Sequence, residues 1–208
     1  MTVAIIGSGK MGSGFARLLD SKGVDVALGN KNPEKALAVA KEIGAKVKGG
    51  SVRDAVSQAD VILLAVKYGD SAEALKSAGD VTNKVVIDIS NPITVDYMGL
   101  TVGHSTSAAE EIQKLVPNAK VVKAFNTIFA ELLPTESRKG RKVQVFIAGD
   151  DERAKAKVSD LVKMAEFEPV DSGTLYNSRF LEPMGEMNIL LRKFLGWGTS
   201  GAPEYRKS

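Results

Sequence analysis

The chain of 208 residues is long enough for one α/β domain with a buried core and a short appendage, and too short for two complete catalytic domains. With 44% hydrophobic and 25% charged residues it reads as a folded globular chain, which excludes the disordered and low-complexity classes. The 28 lysines and arginines against 25 acids give a net charge of +3 without a long basic run, which makes nucleic acid a poor partner.

In chain order, the first seven residues show no basic region followed by a long apolar stretch, and nothing later approaches about 18 uninterrupted apolar residues. A cytoplasmic protein without membrane contact is expected, and the absence of cysteine suits a reducing compartment. Short β-branched runs then alternate with amphipathic stretches. The spacing predicts strands at 3–6, 24–28, 45–47, 61–65, 85–89, 121–125, 143–148 and, more weakly, 168–170. Helices are predicted at 11–22, 33–43, 52–57, 69–78, 107–115 and 151–164, with Pro33 suited to a first helical turn and Asp150-Asp151 to a capped start. Several strands are apolar on both sides, as buried parallel strands are. The fold class is therefore α/β, a Rossmann doubly wound and mostly parallel sheet over residues 1–172. The cluster Arg138-Lys139-Gly140-Arg141-Lys142 reads as a solvated loop ahead of a strand.

Beyond Asp171 the pattern changes. Residues 174–195 read as a helix and the glycine-rich stretch 196–203 as loop, so 173–208 form a short helical extension. Leu181, Met184, Met187, Leu190, Leu191 and Phe194 fall at near-helical spacing, a stripe expected to pack on the chain's own domain and to contribute to a homodimer contact.

The most informative segment is Gly7-Ser8-Gly9-Lys10-Met11-Gly12, directly after the first strand and opening the first helix. There Gly7 permits the tight turn, Gly9 lets the backbone approach a pyrophosphate, and Gly12 lets helix and strand pack, while free helix N–H groups face the phosphates. The second strand ends at Gly29-Asn30-Lys31-Asn32-Pro33, without the acid that would accept from the ribose 2′-hydroxyl of NAD. Asn30 supplies a donor there, and Lys31 and Lys35 supply positive charge, which favours NADP(H).

Ligands of such sheets bind at the carboxyl ends of the strands. Four clusters fall there: Ala65-Val66-Lys67-Tyr68, Ile89-Ser90-Asn91-Pro92, Phe125-Asn126-Thr127-Ile128 and Leu175-Tyr176-Asn177-Ser178-Arg179. Their convergence beside a nucleotide site would form a pocket. The absence of cysteine and a single histidine, His104, leave no metal site to expect.

The fingerprint, Gly29-Asn30-Lys31-Asn32-Pro33-Glu34-Lys35, Gly103-His104-Ser105-Thr106-Ser107-Ala108-Ala109-Glu110, Lys123-Ala124-Phe125-Asn126-Thr127 and Asp171-Ser172-Gly173-Thr174-Leu175-Tyr176-Asn177-Ser178-Arg179 occur in order. Together they resemble the NADPH-dependent coenzyme F-420 (deazaflavin) reductases over nearly the whole chain. The sequence is also similar to the cytosolic oxidoreductase domain of the six-transmembrane epithelial metalloreductases, without their membrane part. The resemblance implies hydride exchange between NADP(H) and a flavin-like small molecule, either deazaflavin F-420 or FMN/FAD. It also implies that Asn30, Lys31 and Lys35 stand at the 2′-phosphate clamp, where the family usually carries Ser-Arg and a further basic residue. Asn126 stands where archaeal deazaflavin reductases carry histidine and where the metalloreductases carry asparagine. A slot walled by Ala65, Val66, Phe125 and Ile128 is implied, with Asn126 and Thr127 positioning the carboxamide or the acceptor ring and His104 as a candidate proton donor.

Two other readings remain open at this level. A reductase of a small carbonyl or imine needs a proton donor near the nicotinamide, with Lys67, Tyr68, His104 and Tyr176 as candidates. A non-catalytic NADPH sensor needs no acceptor pocket at all.

Overall fold

A computed structural model describes residues 1–206. In chain order the elements are β1 (Thr2–Ile6), α1 (Lys10–Ser21), β2 (Asp25–Gly29), α2 (Pro33–Ile43), β3 (Lys48–Gly50), α3 (Val52–Ser57), β4 (Val61–Leu64) and α4 (Ser71–Ala78). There follow β5 (Val85–Asp88), α5 (Ala108–Leu115), β6 (Lys120–Lys123), β7 (Gln144–Gly149), α6 (Glu152–Met164), β8 (Glu168–Asp171) and α7 (Ser178–Leu195). One eight-stranded sheet runs in the order β3-β2-β1-β4-β5-β6-β7-β8. Its strands are parallel from β3 to β6, β7 lies antiparallel to β6, and β8 follows β7 in parallel. The connections leave β1 in opposite directions, toward β2 and toward β4, which opens a crevice above the carboxyl end of β1.

The period of two along the strands divides the core between the two faces of the sheet. Val3, Ile5 and Leu63 pack with Phe15 and Leu19 of α1 on one face, and Ala4, Ile6, Ile62 and Leu64 pack with α3, α4 and α5 on the other. Helix starts follow the chemistry of their residues. The Asn32 side chain accepts from Lys35 N at 3.3 Å ahead of Pro33, and Asp151 accepts from Ala154 N at 2.9 Å.

Several expectations need correction. The third strand lies at Lys48–Gly50, one step beyond residues 45–47, where Val47 N closes a turn onto Gly44 O. Lys-Gly-Gly carries no β-branched residue, yet a Cβ on Gly49 would meet the Ala36 carbonyl at 2.5 Å, so close approach to α2 selects glycine here. The single helix expected over 69–78 is a 3-10 turn, Tyr68–Asp70, followed by α4, and the one over 174–195 is likewise a 3-10 turn, Leu175–Asn177, followed by α7.

The basic cluster is not simply solvated. Arg138 is buried, donating to the carbonyls of Leu133, Ala165 and Glu166 and lying 4.0 Å from the centre of the Phe167 ring, where it closes the carboxyl end of α6. The apolar stripe of α7 is only partly a core stripe. Leu181 is buried against Phe146 and Ala148 with Met184 half-buried beside it, whereas Met187 and Phe194 are more than half exposed.

Helix α7 is fixed to α5 by a two-pronged ion pair, Arg179 Nη2 to Glu110 Oε1 at 2.7 Å and Nε to Oε2 at 2.9 Å. Arg179 first, then Ser107, hold the Glu110 carboxyl below its ordinary pKa, with burial opposing. The stabilisation is therefore complete above the ordinary carboxylate range and is lost as pH falls through the lowered folded value. Glu110→Gln is expected to flatten this part of the acid limb of a stability-against-pH curve, and an unchanged limb would remove the pair from the account.

Candidate functional site

The crevice above β1 is built from the glycine turn. Gly7 has φ +107°, donates its N–H to Gly29 O at 2.8 Å and lies so close to the Ala65 carbonyl that a side chain would collide with it. Gly12 packs directly on the Gly7 carbonyl, while a Cβ on Gly9 would meet nothing within 4 Å. Helix α1 starts without a side-chain cap and without an acid in its first turn, so its N–H groups are free for an anion. Beside it opens a cleft of about 180 Å³ bordered by Gly7, Asn30, Lys31, Lys35 and Val66, with Asp70 and Glu73 on its border as well. Neither lysine has an ion-pair partner among the described residues. An open glycine, an uncapped helix start and two unpaired cations fit a dinucleotide carrying a 2′-phosphate.

Asn30 borders the first cleft as expected and also has a structural part. Its amide donates to Ser8 Oγ at 2.8 Å and its carbonyl accepts from Asn32 N at 2.9 Å, so it ties the end of β2 to the fingerprint turn. The positive charge on this cleft comes from Lys31 and Lys35.

A second cleft, of about 310 Å³, lies across the start of α1 at the carboxyl ends of β5 and β6. Lys10 and Met11 border it from α1, Asn91 from the loop after β5, Asn126, Thr127 and Ile128 from the loop after β6, and Gly185, Asn188, Ile189 and Arg192 from α7. Two amides are locked together at its base. Asn91 Nδ2 donates to Asn126 O at 2.7 Å, and Asn126 Nδ2 donates to Asn91 Oδ1 at 2.9 Å and to Leu181 O at 2.7 Å. Those two acceptors fix which way the Asn126 amide faces. Its Oδ1 is left buried without a partner, an acceptor in want of a donor. Asn188 Nδ2 donates to Thr127 O at 2.9 Å and holds α7 against the same loop.

Beneath this cleft lies a fully buried charge cluster. Lys123 Nζ is 2.6 Å from Asp88 Oδ2, 2.7 Å from Ser90 O and 2.7 Å from Glu182 Oε1. The Glu182 carboxylate also accepts from Ala108 N at 2.9 Å and Ala109 N at 3.2 Å, capping α5 from another element. Burial opposes the Lys123 ammonium, but Asp88 and then Glu182 more than offset it, so Lys123 stays charged. Burial pushes the Glu182 carboxyl up, with Lys123 and the Ala108 N–H pulling against it.

The sequence-predicted residues thus divide. Gly7, Asn30, Lys31, Lys35 and Val66 border the first cleft, Lys10, Met11, Asn91, Asn126, Thr127 and Ile128 the second, and Ser8, Gly9 and Gly12 form the turn between. Ala65 contributes its carbonyl against Gly7. Lys67 is exposed and borders neither cleft. His104 is exposed at φ +56° and borders neither, so the structure gives it no place as a proton donor. Phe125 is not a wall of the slot: it is buried between the edges of Phe15 and Phe167, with ring centres at 4.9 and 5.8 Å.

The cluster at 175–179 does not join the other three, because β7 and β8 run opposite to β1–β6 and their carboxyl ends face away from that edge. Its residues instead anchor α7, with Arg179 on Glu110 and over the Tyr176 ring at 4.2 Å. Gly185, Asn188 and Arg192 were missed. The i, i+3, i+7 spacing of Gly185, Asn188 and Arg192 marks one face of α7, a signal masked by the apolar stripe beside it.

The family model described as NADP oxidoreductase, coenzyme F420-dependent, matches residues 2–92. The F420-dependent NADP reductase of Methanothermobacter marburgensis is 30% identical, over 92% of this chain and 92% of its own. The metalloreductase STEAP3 of Rattus norvegicus is 33% identical over 86% of this chain, and the match spans 35% of that protein, about a third of its length. Among solved structures, a putative F420-dependent NADP reductase from Arthrobacter sp. FB24 superposes with a TM-score of 0.89 and 29% identity, covering 98% of this chain and 99% of its own. No helix of the described residues is long and apolar enough to cross a membrane.

Proposed function

Because the chain belongs to the family of coenzyme F420-dependent NADP reductases, we propose that it transfers a hydride between NADP(H) in the first cleft and a flavin-like ring in the second. The observation that carries this reading is a pair of clefts bordered by one continuous turn and uncapped helix start: Gly7 borders one, and Lys10 and Met11 border the other. NADP(H), when bound, supplies the hydride chemistry itself. The residues of the chain bind and orient. The α1 N–H groups and the lysines at 31 and 35 take phosphates, while Met11, Ile89, Ile128 and Ile189 offer apolar walls to a flat ring. The unpartnered Asn126 Oδ1 accepts from an N–H of the carboxamide or of the acceptor ring.

Deazaflavin F-420, FMN and FAD remain the acceptors proposed, in a cytoplasmic homodimer. None of Lys67, Tyr68, His104 and Tyr176 borders the second cleft, so a carbonyl or imine reductase would have to draw its proton there from Lys10 or Tyr97, which do border it. A pure NADPH sensor would have no use for that cleft.

The test is anaerobic oxidation of NADPH and NADH with F-420, FMN, FAD and riboflavin offered separately. Consumption of NADPH with at least one of them is expected, and NADPH bound but never oxidised would defeat the reading. In the same assay Lys31→Ala should raise the NADPH KM by about tenfold, the loss of one charge-assisted contact, and leave the NADH KM in place. Equal losses for both dinucleotides would take Lys31 out of the 2′-phosphate site.

A further inference from the structure

The acceptor side of the second cleft is built by one face of α7. Gly185 lies against the locked amides of Asn91 and Asn126, Asn188 reaches Thr127 O, and Arg192 stands at the mouth. One turn below Gly185 the same helix carries Glu182, 1% exposed, whose carboxylate is the point where three elements meet: α7 itself, the start of α5 through Ala108 N and Ala109 N, and the end of β6 through Lys123. Lys123 passes the contact on to Asp88 and Ser90, directly ahead of Asn91.

We propose that Glu182 is a positioning residue for the acceptor: through Ala108, Ala109 and Lys123 it sets the height and rotation of α7, and with them the distance of the α7 wall from Asn91 and Asn126. An ion pair serving stability alone could lie anywhere along β6. This one lies in the turn of α7 whose Leu181 carbonyl receives the Asn126 amide, so a displaced Glu182 displaces the base of the cleft. The first cleft, where the lysines at 31 and 35 stand, has no wall from α7, so the phosphate end of the dinucleotide lies outside its reach. The proposal rests on the reading of the second cleft as the acceptor site.

Two variants test it. Glu182→Gln keeps the shape of the side chain but places an N–H₂ where either Lys123 or the α5 N–H groups already donate. Ala108→Pro leaves Glu182 untouched and removes one of the N–H groups it accepts from, setting a ring carbon against the carboxylate. Proline is favoured in a first helical turn, and Ser107, at ψ 162°, has the extended conformation that a following proline requires.

Three readings are taken on both variants: the NADPH Kd by its fluorescence on binding, the KM for FMN, and hydrogen exchange of the amides at 185–192. A rise of about tenfold in the FMN KM, with the NADPH Kd held within about twofold, is expected in both. Faster exchange at 185–192, with α1 and α2 unchanged, is expected beside it. Equal shifts in Kd and KM, or an unmoved KM in a folded variant, would overturn the proposal. If the wild-type protein oxidises NADPH with no flavin at all, the reaction proposed above fails; the exchange reading still decides the linkage, with faster exchange supporting it and unchanged exchange overturning it.

Discussion

Lys123→Met is expected to cost about 3–5 kcal/mol of stability at neutral pH, the loss that follows when one partner of a buried ion pair is removed. Methionine matches the unbranched shape of lysine, so little of the loss comes from packing. What it removes is the sole cation between Asp88 and Glu182, whose carboxylates are both sealed from water and both within 2.7 Å of Lys123 Nζ in the wild type. Total stabilities of single domains lie at about 5–15 kcal/mol, so the variant would stand near its unfolding threshold.

The dependence on pH distinguishes charge from packing. Burial already raises the Glu182 carboxyl in the presence of Lys123, and without the lysine that carboxyl rises further above its unfolded value. A folded state that holds protons more tightly than the unfolded one gains stability as pH falls through the raised folded values toward the unfolded ones. Urea unfolding from pH 8 down to pH 5 should therefore show the gap between variant and wild type closing. A gap that stays constant across that range would assign the loss to packing and discharge Lys123 from its role.

The same cluster shows why the site was only half legible in the sequence. The dinucleotide half is local: a strand, a glycine turn and a helix start occupy residues 2–21 without a break, and backbone contacts demand glycine at two positions, Gly7 against the Ala65 carbonyl just past β4 and Gly12 against the Gly7 carbonyl. Periodicity and turn chemistry carry that kind of information. The acceptor half comes from residues 91, 126 and 185–192, brought together by the return of α7 along the sheet, and no local pattern carries the return.

The direction of β7 is hidden for a similar reason. Gln144–Gly149 is buried along its whole length, and such a run reads the same whether the strand lies parallel or antiparallel to its neighbour. From that ambiguity came the misplacement of the 175–179 cluster. Phe125 was misassigned because its place after a strand suggested an exposed edge, whereas its φ of +61° turns the side chain back into the core between Phe15 and Phe167. Arg138 shows the converse: a charged run on paper whose first member serves the carbonyls at the end of α6.

Gly185→Ala should reduce turnover with the acceptor by about a hundredfold while leaving NADPH binding within about twofold. In an ordinary helix the exchange would add up to about 1 kcal/mol of stability, since alanine is the better helix former. Here the added methyl would stand 2.5 Å from Asn91 Oδ1, 2.7 Å from Asn91 Nδ2 and 2.9 Å from Asn126 Nδ2. The amides cannot simply swing aside, because Asn91 holds the Asn126 backbone carbonyl and Asn126 holds Leu181 O. Either α7 withdraws from the cleft or the amide pair opens, and both place the Asn126 carbonyl away from the position that its unpartnered Oδ1 now occupies. Steady-state kinetics with FMN and NADPH, set beside a thermal melt, separates the outcomes. A melt near or above that of the wild type with turnover lost places the requirement for glycine in the cleft. A variant with full turnover would show that the amide pair has no part in orienting the reacting rings.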